Sequence, residues 1–199
     1  MANKSLLHSS LTDNIFYRSM LAGNDAYFPE FESDDFLEEV VLTSSAASVT
    51  FSGLGAYSDY KHLQIRAVAK NSGTNPINMW VRANGDTASS YSWHYLNGYG
   101  SGVSSGGAGT RSEGLYGGTL PGAETNVFGA SIIDFLDFSS TTKYLTSRAL
   151  SGHFATAGKN AELGSGSWQN VSAVTSLELR FTGGNILAGS RFSLYGSKG

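Results

Sequence analysis

The chain has 199 residues, 13 bases against 16 acids, and no cysteine. That length suits one domain with its own core, and the missing thiols remove disulfide frameworks, cysteine nucleophiles and iron–sulfur clusters. A net charge of -3 and a pI near 5.8 argue against a phosphate-binding surface, so nucleic acid is not an expected partner. No apolar run approaches the length that spans a bilayer, and the N-terminus shows no secretory signal. Glycine is the outlier at 25 residues, beside 3 prolines and 12% aromatics, which points to short strands and turns instead of a helical bundle.

Residues 1–35 read as an N-terminal arm. Ser10 to Asp13 offer capping oxygens and Gly23 a stop, which predicts one short helix near residues 13–22. Its apolar side chains, Ile15, Phe16, Met20 and Leu21 with Tyr17, nearly encircle the helix, and ten residues are marginal alone, so the arm needs something to pack on. Charge is uneven. Residues 1–60 hold two bases against nine acids, and residues 61–199 eleven against seven. The acidic run Glu30 to Glu39 reads as a solvated face, with a docking arm as the sharper alternative, and it lacks the spacing of a calcium loop.

From Glu38 the hydrophobic period becomes two, and residues 36–199 are predicted to form one all-β domain. In residues 62–69, Leu63, Ile65, Ala67 and Ala69 face one side and His62, Gln64 and Arg66 the other, the pattern of a half-buried strand. Ile77, Met79, Val81 and Ala83 repeat it, and Asn84-Gly85 predicts a type I′ hairpin turn before the aromatic strand of Tyr91, Trp93 and Tyr95. Residues 98–122 hold ten of the glycines among serines and predict a long loop or flap. Residues 127–138, the most apolar segment, predict a central strand buried on both faces, with a short helix as the competing reading. Strands near 143–150, 152–157, 177–182 and 191–195 bring the count to nine or ten, which indicates a jelly-roll-like two-sheet β-sandwich.

Enzymatic chemistry finds little support. Gly102-Val103-Ser104-Ser105-Gly106 matches G-x-S-x-G, but no helix follows to expose the serine. His8, His62, His94 and His153 have no metal-ligand spacing. Asp134 and Asp137 are expected on opposite sides of a strand, partnered by Arg148 or Arg180 as structural ion pairs. The chain is read as a non-enzyme with no catalytic residue, metal site or cofactor. The aromatic residues Trp80, Tyr91, Trp93, Tyr95, Tyr99 and Trp168 read first as core and subunit contacts, and alternatively as a stacking surface for sugars.

Several ordered motifs resemble one family. They are Phe31-Glu32-Ser33, the run Tyr60 to Arg66, Asn84-Gly85-Asp86 with Tyr91 to His94, Ile133-Asp134 with Lys143-Tyr144, Ser167-Trp168, and the closing run Phe192 to Gly199. Over residues 31–199 the chain resembles virion structural proteins of tailed phages of marine and freshwater bacteria. The resemblance implies a capsid decoration (cement) protein on the head surface. Its partners would be the major capsid protein and copies of itself as a dimer or trimer. The arm residues Ile15, Phe16, Tyr17, Met20, Phe28 and Phe31 would fill grooves between shell subunits. The alternative is a tail-associated receptor-binding protein that takes a host glycan at Trp80, Trp93 and His94.

Overall fold

The computed structural model describes residues 34–198. The chain divides into two units, Met1–Ser33 and Asp34–Gly199. The predicted helix and the whole set Ile15, Phe16, Tyr17, Met20, Phe28 and Phe31 lie outside the described residues.

The second unit contains twelve strands among its described residues: β1 (Asp35–Val41), β2 (Ser48–Ser52), β3 (His62–Ala69), β4 (Ile77–Ala83), β5 (Tyr91–Tyr99), β6 (Gly102–Arg111), β7 (Leu115–Leu120), β8 (Gly129–Leu136), β9 (Leu145–Ala155), β10 (Gly158–Trp168), β11 (Ser176–Phe181) and β12 (Arg191–Ser197). They form an antiparallel eight-stranded sheet, β1-β12-β3-β8-β9-β10-β5-β6, and a four-stranded sheet, β2-β11-β4-β7. With the hairpins β5–β6 and β9–β10 set aside, the remaining eight strands run 1-8-3-6 in one sheet and 2-7-4-5 in the other, the order of a jelly roll. The two hairpins are insertions that dock on each other and extend the first sheet by four strands.

The core follows from the alternation. Leu63, Ile65 and Ala67 of β3, Ile133 and Phe135 of β8, Met79 and Val81 of β4, and Leu177 and Leu179 of β11 are buried between the sheets. A fully buried residue of this kind contributes about 1.5–3 kcal/mol before ordering costs. The added strands then curl around β7. Trp80 alternates with the core residues Met79 and Val81, so it sits on the other face of the small sheet. It is nevertheless only 4% exposed. Trp93 of β5 lies over it at 5.5 Å, and Tyr95 stacks on Tyr116 of β7 at 5.5 Å. Gly164 of β10 permits this closure, because a Cβ there would stand 2.5 Å from the Tyr116 ring. The hook covers β7, which would otherwise be an open sheet edge.

Four expectations need correction. Residues 98–122 are not a loop: they complete β5 and form β6 and β7. Ladder bonds need only backbone, and small residues let the rings of β5 lie directly on β6, where a Cβ on Gly106 would meet the Tyr95 ring at 2.9 Å. The segment 127–138 holds a central strand, β8, but its burial alternates, and Ile132 faces outward. Asn84-Gly85 does adopt positive φ at both residues (53° and 65°), yet the strands it joins belong to different sheets, so the turn is a crossover and not a hairpin. The two strands expected at 143–150 and 152–157 are one, β9, and it pairs along its length with β10, which the sequence reading had not identified.

The crossover after β4 is pinned by Asp86. Its carboxylate accepts hydrogen bonds from Trp168 Nε1 (2.7 Å), Ser90 Oγ (2.6 Å) and the Ala88 amide (2.8 Å). Burial pushes the Asp86 carboxyl up, but the bonds from Ser90, Trp168 and Ala88 together outweigh it and hold the group below its ordinary value.

Candidate assembly face

The added strands give the large sheet a broad outward face with no second layer among the described residues. Alternation decides what stands there, and register aligns it. Ile132 of β8 pairs with Leu150 of β9, Leu150 with Leu163 of β10, and Leu163 with Leu96 of β5. These four aliphatic side chains form one straight cross-strand row, exposed by 41%, 59%, 56% and 57%. The neighbouring row is Val68, Ala130, Gly152, Ala161, Gly98 and Val103, small enough to leave the surface flat. A contiguous apolar patch on four adjacent strands is unusual for a solvated face.

The flanking charges neutralise each other. Asp134 accepts from Arg148 Nε and from Gln64 Nε2, both at 2.7 Å. This is the Arg148 partner expected for Asp134, although at a 68% exposed arginine it contributes only about 0–1 kcal/mol. Asp137 lies past the end of β8 with φ 52° and pairs with Lys143. Directly beside Ile132, in the same cross-strand row, Arg66 binds Asp34 at 2.8 Å and lies 4.0 Å over the Tyr195 ring, against which Phe36 packs edge-on.

Of the residues proposed for a glycan, Trp80 and Trp93 meet in the hook, but His94 faces the other side of the sheet. Trp80 is buried with its Nε1 donating to Thr182 Oγ1 (2.6 Å), Trp93 is half-buried in the hook, and His94 stands on the outward face of β5. Tyr91 and Trp168 are core residues, as the first reading of the aromatic set expects. Ser104 of the G-x-S-x-G match lies in β6, an edge strand with no helix behind it. The aliphatic row was missed, because it depends on the pairing of strands distant in sequence. Among the described residues no group of three His, Asp or Glu side chains is placed to hold a metal, and no helix is long and apolar enough to cross a membrane.

Comparison with known proteins found no matching family model, no matching curated protein and no matching solved structure.

Proposed function

We propose that this protein is a structural component of a tailed-phage particle, a capsid decoration protein that stabilises the head shell through lattice contacts. The observation that carries the reading is the exposed aliphatic row Ile132–Leu150–Leu163–Leu96 with a row of small residues and valines beside it on the outward sheet face. A solvated monomer has no use for such a face, whereas a protein that packs with copies of itself buries it. The occupant is a second copy of this chain. Two of the charges on the face are paired within it, Arg148 with Asp134 and Arg66 with Asp34, while the Lys159 ammonium lies over the Phe154 ring. Jelly-roll strand order, common among viral shell proteins, is compatible with this role but is shared with many other functions.

In this reading residues 1–30 supply the contact with the shell, through Ile15, Phe16, Tyr17, Met20 and Phe28 with neighbouring Phe31, and repetition over the lattice turns modest contacts into avid binding. Quantitative mass spectrometry of purified particles tests it. A decoration protein is present in hundreds of copies per particle, on the order of the shell subunits themselves, as multivalent lattice binding requires. Tens of copies or fewer would place the protein on the tail and overturn the decoration role. Deleting residues 1–30 should leave a soluble folded body that no longer loads onto capsids, and normal loading would refute the arm's part.

A further inference from the structure

Among the described residues the two sheets end in four outer strands, and three of these are protected. β1 carries Asp35, Glu38 and Glu39 and a register shift between Phe36 and Glu38. β2, at five residues, is the shortest strand, and the hook covers β7. Charge, a bulge, brevity and cover are the devices by which folds keep a sheet edge from pairing with a second chain.

β6 is the exception. It runs for ten residues with no acid, lysine or proline, and its one charge, Arg111, is its last residue. Its register with β5 is unbroken from Gly102 to Ala108, and the irregularity between Tyr91 and Trp93 falls beyond that stretch. Among the described residues the backbone of β6 pairs with β5 alone, and none of its residues is buried. The outer row of amides and carbonyls from Gly102 to Ala108 is therefore open.

Side chains leave the approach clear. Val103, 81% exposed, is the one large residue of the stretch, and the rest are glycine, serine and alanine, which let a second backbone come close. A strand that captures a foreign peptide gains specificity from pockets for alternate side chains. β6 has no buried residue to form one, and no charge before Arg111. What it offers is complementarity to itself.

We propose that β6 pairs antiparallel with β6 of a second copy, joining the two eight-stranded sheets edge to edge. The regular stretch paired with itself is centred on Ser105. Ser105 then faces Ser105, Ser104 faces Gly106, Val103 faces Gly107 and Gly102 faces Ala108, so the one large side chain of each strand meets a glycine of the other. The arrangement is two-fold symmetric, and it sends the two Arg111 side chains to opposite ends of the ribbon, where they do not repel. The contact uses backbone groups of an edge, separate from the aliphatic row, and it does not rest on the phage reading.

Cysteine cross-linking of the full chain tests it, because the native sequence has no thiol. Directly opposed residues of an antiparallel pair lie about 4.5–5.5 Å apart between Cα atoms, within reach of a disulfide. At about 1 mM protein, the concentration that copies tethered side by side experience, Ser105→Cys should oxidise to a covalent dimer at least tenfold faster than Ser101→Cys. The register sets residue 101 opposite residue 109 of the other copy, several residues from its own counterpart. Both serines are exposed, so neither change threatens the fold. The preference should persist when Leu163→Asp is added to disrupt the aliphatic row, and amide hydrogen exchange over residues 102–108 should slow in the cross-linked dimer. Equal rates for the two cysteines, a preference abolished by Leu163→Asp, or exchange in residues 102–108 as fast in the dimer as in the monomer would overturn the proposal.

Discussion

Leu163 and Gly164 are neighbours on β10 and face opposite ways, and the two sides of the sheet they belong to follow different rules. Leu163 stands in a row of half-exposed aliphatic side chains. Gly164 has no side chain because Tyr116 occupies the space one would fill. In the proposed function the outward face is the one that packs on a second copy of the chain. The inward face closes the hook over β7. One strand therefore exposes aliphatic side chains with one set of alternate residues and closes the hook with the other.

Substitutions at these adjacent positions separate the two roles. Gly164→Val drives branched carbons into the Tyr116 ring, 2.5 Å from where its Cβ would lie, and is expected to cost about 3 kcal/mol or more, read as a fall in denaturant midpoint. Asp86→Ala removes the acceptor shared by Trp168, Ser90 and Ala88, which should cost about 1–3 kcal/mol and loosen the hook where β10 ends. The Asp86 carboxyl is held below its ordinary value in the folded state, so its contribution is full above the unfolded value near 4 and is lost as pH falls through the folded one. Denaturant midpoints measured from pH 5 downward should therefore fall less steeply in Asp86→Asn than in the native protein. An equal slope would remove Asp86 from the acid response.

Leu163→Asp, one residue from Gly164, should leave the midpoint within about 0.5 kcal/mol, as surface changes usually do. It should nevertheless weaken self-association at least tenfold by light scattering, because it places a carboxylate at the centre of the aliphatic row. Unchanged association would move the interface elsewhere on the molecule. The smallest expected effect is that of Arg148→Ala, whose exposed pair with Asp134 contributes about 0–1 kcal/mol.

The chain made part of this visible. Alternation in Leu63, Ile65, Ala67 and Ala69 marks β3, and Ile77 to Ala83 marks β4, because one face of each meets the core and the period of two survives in the text. Strands β6 and β10 carry glycine and serine where a side chain would collide with Tyr95, His94 or Tyr116, so the hydrophobic signal is absent although the ladder is complete. The Asn84-Gly85 turn was legible as a backbone conformation and silent about which sheet follows it. The aliphatic row is a product of register. Leu150, Leu163 and Leu96 give no signal singly, and only the pairing of β9, β10 and β5 sets them side by side.

The central claim is a place on the head of a phage particle. Immunogold labelling of intact virions with an antibody raised against residues 34–198 tests it most directly. Gold spread over the head is the predicted result. Gold confined to the tail, or particles left bare, would contradict it.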